Sequence, residues 1–245
     1  MEPLIQLKNI TKVYEIGGPA MGRLGRLRGG AHPGLSVTAL KQLSLDFHRG
    51  EFTAIAGPSG SGKSTLLNII GTIDSPTRGE VHYEGRKVSS LREELLADFR
   101  LRSLGFVFQA YNLISVLTAV ENVEYVLALQ GIGREERAQR AREALRRVGV
   151  EAQADRRPDL LSGGQQQRVA VARAIVHRPM VVLADEPTAN LDSKTAEALL
   201  ALMLDLNEEH GVTFLFSSHD PRVLSRAKRV IQIHDGCVEG EEDRE

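Results

Sequence analysis

A chain of 245 residues with 42% hydrophobic content is long enough for one large α/β domain, or for a core with a modest subdomain. Lys and Arg total 31 against 32 Asp and Glu, and tryptophan is absent, which excludes the basic, aromatic-rich surface of a general nucleic-acid binder. Cys237 is the only cysteine, so disulfides and a cysteine-built zinc site within the chain are excluded and a reducing cytoplasm fits.

Strands are expected near 4–13, 40–47, 52–57 and 80–84, an N-terminal β region. Between the first two lies 17–37, rich in Gly and carrying Arg23, Arg26 and Arg28 without acids. It reads either as a solvated flexible loop or as a contact with a partner or with anionic lipid.

Phe52-Thr53-Ala54-Ile55-Ala56 reads as a buried strand. It runs into Gly57-Pro58-Ser59-Gly60-Ser61-Gly62-Lys63-Ser64, which fits G-x-x-x-x-G-K-[ST] at every fixed position. An apolar helix from Ser64-Thr65-Leu66 to about Gly71 completes the strand–loop–helix context. The glycines let backbone N–H groups turn inward around phosphate oxygens, and the helix N-terminus adds partial positive charge. Lys63 can reach the terminal phosphates, and Ser64 can offer its hydroxyl to Mg²⁺.

A further strand, Leu104 to Phe108, ends at Gln109. Helices follow over Thr118–Leu129, opened by the capping box Thr118-Ala119-Val120-Glu121, and over Arg134–Val148, with Gly131 and Gly149 marking their ends. The mixed Arg and Glu of 134–147 read as a solvated face. Leu161-Ser162-Gly163-Gly164-Gln165 then opens an amphipathic helix. Ser162 is a good N-cap and the two glycines bare backbone N–H groups, a second anion site separate from the first.

Met180 to Ala184 is continuously apolar, as a parallel strand buried on both faces should be, and ends in Asp185-Glu186. Asp185 is placed to hold Mg²⁺ and Glu186 to polarise a water for attack on a γ-phosphate. Helix and strand then alternate over 193–209, 212–217, 221–228 and 229–234, which calls for a parallel sheet covered by helices. The acidic 239–245 reads as a short frayed tail. His32, His48, His82, His177, His210 and His234 match no motif and are expected at the surface or in packing. Met1-Glu2-Pro3 shows no signal-peptide pattern, and no apolar run approaches the roughly 20 residues that cross a bilayer, so a membrane-spanning part is expected on another chain.

Taken with the loop at 57–64 and the acids at 185–186, Leu161 to Gln165 resembles the signature motif of the ATP-binding-cassette (ABC) ATPases, and the resemblance covers about residues 4–238. It implies a P-loop α/β core with an N-terminal antiparallel β region and an inserted helical subdomain. The division would be a core at about 1–109 and 169–238 with the helical part at about 110–168. It implies adenine stacking by Tyr14, a contact of Gln109 with Mg²⁺ or water, a γ-phosphate contact by His219, and a dimer-crossing loop at Asn190-Leu191-Asp192. It further implies a homodimer that sandwiches ATP and Mg²⁺ between 57–65 of one protomer and Ser162, Gly163, Gly164 and Gln165 of the other, with Asp192 close by.

The run Ala184 to Lys194, together with Phe106–Gln109, Leu117–Val123 and Ser218-His219-Asp220-Pro221, is similar to the lipoprotein-releasing (LolD-type) and macrolide-export (MacB-type) branch. That branch implies an integral-membrane permease with a large extracytoplasmic domain, contacted at roughly 110–130, and a position on the cytoplasmic face of the inner membrane. An importer ATPase, and an ABC ATPase acting on DNA or the ribosome, are the competing readings. Asn190 and Ala184 count against the first. The absence of tandem cassettes, coiled-coil insertions and zinc cysteines counts against the second.

Overall fold

A computed structural model describes residues 2–16 and 35–244. The stretch 17–34, most of the basic Gly-rich segment, lies outside the described residues, and so does the question of what it contacts.

Two sheets share the chain. Strands β1 (Ile5–Ile16) and β2 (Leu35–Phe47) pair antiparallel. The chain then crosses to the second sheet through β3 (Phe52–Ala56), enters helix α1 (Lys63–Ile70), and returns to the first through β4 (Arg78–Tyr83) and β5 (Arg86–Lys87). The first sheet has the order β2-β1-β4-β5. Helix α2 (Glu93–Ser103) leads into β6 (Leu104–Phe108), and helices α3 (Ala119–Leu129), α4 (Arg134–Arg147) and α5 (Gly163–Ile175) follow. The remainder is β7 (Val181–Asp185), α6 (Ser193–His210), β8 (Phe214–Ser217), α7 (Pro221–Arg226), β9 (Arg229–His234) and β10 (Cys237–Asp243). The second sheet has the order β10-β9-β3-β8-β7-β6, and every pair in it is parallel except β9 with β10.

That order places the site. β3, β8 and β7 are adjacent and parallel, so their C-terminal ends emerge on one edge, where open α/β sheets bind ligands. The period of two splits their side chains between two cores. Phe52, Phe214 and Phe216 face the cluster shared with α3–α6, while Ile55 and Leu215 face the cluster between the two sheets. The Phe52 and Phe216 rings are 4.6 Å apart, and truncating either to Ala costs about 3–5 kcal/mol.

Strands β1 and β2, helix α2 and strand β10 depart from the sequence reading. β1 runs to Ile16 and β2 begins at Leu35, so Tyr14 sits inside a strand opposite Val37 rather than beyond a strand end. Helix α2 has no counterpart in the periodicity, because Leu96 is its one buried residue. Its ends do match the helix dipole, with Glu93 and Glu94 in the first turn and Arg100 and Arg102 in the last. The acidic tail is not frayed. Residues 237–243 form β10, turned back on β9 at Asp235-Gly236, whose φ values of 45° and 78° are those of a type I′ hairpin. Two of its acids are paired: Glu241 with Arg229, which also bridges Glu51, and Glu242 with Arg244.

Candidate functional site

The loop after β3 is shaped by backbone contact. A Cβ on Gly57 would stand 2.0 Å from the carbonyl oxygen of Ile233, at a φ of 147°. A Cβ on Gly62 would stand 2.6 Å from the carbonyl oxygen of Ala39, at a φ of 106°. Only glycine therefore lets the loop pass between the end of β9 and the backbone of β2 at Ala39. The result is a cleft of about 500 Å³ lined by Pro58, Ser59, Gly60, Gly62, Lys63, Ser64 and Thr65 on one side and by Gln109, Glu186 and His219 on the other. Ala39 and Ala189 complete its wall.

Lys63 is buried and its Nζ donates to the carbonyls of Gly57 (2.8 Å) and Pro58 (2.9 Å). The loop thus presents a cation and the open N-terminus of α1, whose first turn contains no acid. Ser61 Oγ is buried without a hydrogen-bond partner inside the loop. An anion cradled here fits this surplus of donors.

Both carboxylates at the end of β7 are fixed from β8. Ser217 is the register partner of Asp185, and its hydroxyl donates to Asp185 Oδ1. Ser64 Oγ lies 3.1 Å from the same oxygen. The next residue, Glu186, takes a φ of 45°, in the left-handed region, which re-aims its side chain into the cleft. Its Oε2 accepts from Ser218 Oγ at 3.1 Å, and His219 Nδ1 is 2.7 Å from Oε1. An ionised carboxylate only accepts, so Nδ1 carries the proton in this contact. Read from sequence, Ser217 has no role, and Ser218 only a place in the run Ser218-His219-Asp220-Pro221. Two consecutive serines closing the apolar Phe214-Leu215-Phe216 run, just before His219, are the signal that points to them.

Gln109 follows β6 and lines the cleft, and its carbonyl accepts from Asn190 Nδ2 at 3.0 Å. Beyond it, Tyr111 and Asn112 are both left-handed, with φ of 59° and 51°. The guanidinium of Arg173, on α5, donates to their carbonyls at 2.9 and 2.5 Å, and burial pulls its pKa down.

The signature residues lie apart from the cleft. Ser162 and Gln165 form a reciprocal capping box at the start of α5, with Ser162 Oγ accepting from Gln165 N and Gln165 Oε1 accepting from Ser162 N. A Cβ on Gly163 would stand 2.8 Å from the Tyr111 hydroxyl, and one on Gly164 would stand 2.3 Å from Thr195 Cγ2. None of Ser162, Gly163, Gly164 and Gln165 lines the cleft of its own chain. Asp192 does not either. It caps α6 through the N–H and hydroxyl of Thr195, and the hydroxyl bond is the main cause of its lowered pKa.

Tyr14 is likewise outside the lining. Its hydroxyl donates to Asp74 at 2.8 Å, and Lys12 Nζ sits 4.8 Å from its ring centre. Burial is the largest cause of its raised pKa, with the Thr65 hydroxyl opposing and Asp74 reinforcing.

Residues 40–189 match the profile of the ABC transporter family. The chain is 46% identical to the ABC transporter ATP-binding protein MJ0796 of Methanocaldococcus jannaschii, over 98% of this chain and 97% of that one. It is 44% identical to the macrolide export ATP-binding/permease protein MacB of Salmonella typhimurium, over 97% of this chain but 34% of MacB. Among solved structures, the dimeric post-hydrolysis state of the MJ0796 cassette bound to ADP and Pi superposes with a TM-score of 0.84 at 44% identity, covering 98% of this chain and 99% of that one.

Proposed function

The chain belongs to the ABC transporter family as an ATP-binding and ATP-hydrolysing subunit, and from that premise we propose a homodimer that closes around two ATP to drive a separate permease of the LolD/MacB type. One observation carries this reading. The N-terminus of α5, with its two glycines, lies outside the cleft that holds the phosphate loop of the same chain. A second copy, arranged as in the dimeric relative, would supply that anion site from across the interface. Neither half-site alone would surround a γ-phosphate, and phosphoryl transfer is mostly positioning and charge stabilisation.

In this reading the N–H groups of 57–65 cradle the phosphates, and Lys63 exchanges the Gly57 and Pro58 carbonyls for phosphate oxygens. Ser64 and Asp185 would hold Mg²⁺, with Gln109 at the rim of the site. Their close hard-oxygen pair is the kind of donor set that would suit a small divalent cation. Bound there, Mg²⁺ would supply positive charge against the phosphates. Glu186 accepts the proton of the attacking water as its oxygen bonds to the γ-phosphorus and the bridging P–O bond to ADP breaks. His219 turns to the γ-phosphate, leaving Glu186 Oε1 free for the water. Tyr14 offers its ring to adenine, and Asp192 shapes the loop that crosses the interface.

We take 110–168 as the helical subdomain and the remainder, including β10, as the core. Among the described residues no helix is long and apolar enough to cross a membrane. A cleft of about 420 Å³ between them, lined by Ile73, Phe106, Phe108, Val126 and His177, is the proposed seat of the permease on the inner face of the membrane. Exposed Val116, Tyr125 and Leu129 extend the apolar surface within the 110–130 region. The relative MacB combines ATP-binding and permease parts in one chain, of which this chain matches a third.

The test is a pull-down from solubilised membranes with tagged Glu186→Gln protein, ATP and Mg²⁺. A permease with a large extracytoplasmic domain is expected in the eluate. Recovery of ribosomes or soluble proteins alone would overturn the permease assignment.

A further inference from the structure

Ser218 is fully buried at the end of β8 and has no place in the reaction as described above. Its hydroxyl stands in the middle of a closed ring. Ser218 Oγ accepts from the N–H of Asp220 at 3.1 Å, so its own hydrogen is directed to the remaining neighbour, Glu186 Oε2, at 3.1 Å. Asp220 cannot swing away. Its Oδ2 accepts from Thr188 Oγ1 at 2.8 Å, its carboxylate is gripped by Arg222 Nε and Nη2, and its Oδ1 caps α7 through the N–H of Arg222. Thr188 is two residues beyond Glu186 and is itself fully buried, which closes the ring back onto the left-handed backbone of Glu186.

We infer that Ser218 is a positioning residue for Glu186, reserving one carboxylate oxygen for the reacting water. With Oε2 tied to Ser218, Oε1 is the oxygen that meets His219, on a side chain that lines the cleft. Once His219 has turned to the phosphate, a carboxylate without the Ser218 tie has no remaining side-chain partner and populates orientations that present neither oxygen to the water. A group held by packing and hydrogen bonds reacts in one geometry, whereas a loose one loses rate without losing substrate affinity. The inference rests on the reading of Glu186 as the proton acceptor.

The test is steady-state hydrolysis by the full-length protein, with ATP binding measured separately by a fluorescent ATP analogue. Ser218→Ala is expected to lower kcat roughly tenfold or more, the loss of one hydrogen bond to a charged group, while KM and analogue affinity stay within about twofold. Ser218→Thr restores the hydroxyl and most of kcat. Thr188→Val, which opens the ring at its far side, lowers kcat in the same sense and carries the test if Ser218→Ala does not fold. Wild-type kcat in Ser218→Ala, or equal losses of kcat and of nucleotide affinity, would overturn the role. Glu186→Gln separates the two claims. If Glu186→Gln is inactive and Ser218→Ala is not impaired, the positioning role falls and the proton acceptor stands. If Glu186→Gln turns over normally, both fall.

Discussion

Ser64 Oγ, in the first turn of α1, and Asp185 Oδ1, at the end of β7, are 3.1 Å apart although 121 residues separate them in the chain. The β3-β8-β7 order makes this possible, since both groups leave the same edge of the sheet. Ser217 donates to the same Oδ1, which fixes the carboxylate beside the Ser64 hydroxyl, the pair proposed above to hold Mg²⁺. Asp185→Asn removes the charge and keeps the shape. It is expected to abolish hydrolysis and the Mg²⁺ dependence of nucleotide affinity while ATP still binds without Mg²⁺. Titration of a fluorescent ATP analogue with and without Mg²⁺ checks this.

Gly57 tests the shape of the loop. Its φ of 147° and the 2.0 Å approach of a Cβ to the Ile233 carbonyl mean that Gly57→Ala must push β3 and β9 apart. The cost is about 1–3 kcal/mol, read in a urea denaturation curve, together with loss of ATP binding. Gly60→Ala, where a Cβ meets nothing within 4 Å, should destabilise less.

Ser162 tests the second half-site. Ser162→Arg places a long cation at the exposed start of α5 and breaks the capping box with Gln165, at about 1 kcal/mol. One protomer should still bind ATP with normal affinity, because the residue does not line its own cleft. Hydrolysis should fall at least a hundredfold, and undiminished hydrolysis would reject a shared site.

Arg173 links α5 to the turn after Gln109. Arg173→Leu leaves the carbonyls of Tyr111 and Asn112 without their donor and two left-handed residues without support. The expected loss is about 1–3 kcal/mol, or a melting temperature lower by roughly 2–4 °C per kcal/mol for a chain of this size. Calorimetry measures it, and Arg173→Lys should rescue it only in part because Lys cannot fork across two carbonyls.

The Asp220 carboxyl is pulled down to about 2 from 3.8, first by its hydrogen bond with Arg222, against a smaller opposing effect of burial. Its folded-state pKa is the lower one, so its contribution is complete above the unfolded value and is lost as pH falls through the folded one. The stability advantage of the wild type over Asp220→Asn should therefore be flat near neutrality and shrink between about pH 4 and 2. Urea midpoints across that range check the sign, and a gap that widens on acidification would contradict it.

Much of this was legible in the residues. The phosphate loop, the paired acids and the signature each announce themselves through local constraints, namely glycines where the backbone must approach closely and a capping box where a helix begins. What escaped is what depends on neighbours across the sheet. Ser217 and Ser218 acquire their meaning only because β8 lies beside β7. Ala39 lines the cleft only because β2 passes over Gly62. Tyr14 shows the limit of reading a strand end from pattern alone, since pairing with 35–38 carries β1 on to Ile16. The β9–β10 hairpin was a different failure. Asp235-Gly236 is a strong turn signal, but the acidic run after it masks a strand in which Glu241 and Glu242 are met by Arg229 and Arg244.

The central claim is that nucleotide closes two chains on each other. Its most direct test is the mass of Glu186→Gln protein by light scattering during size exclusion, with ATP, with ADP and with neither. The mass of two protomers is expected with ATP, and of one in the other two conditions. A single-protomer mass at saturating ATP, with binding confirmed in the same sample, would contradict it.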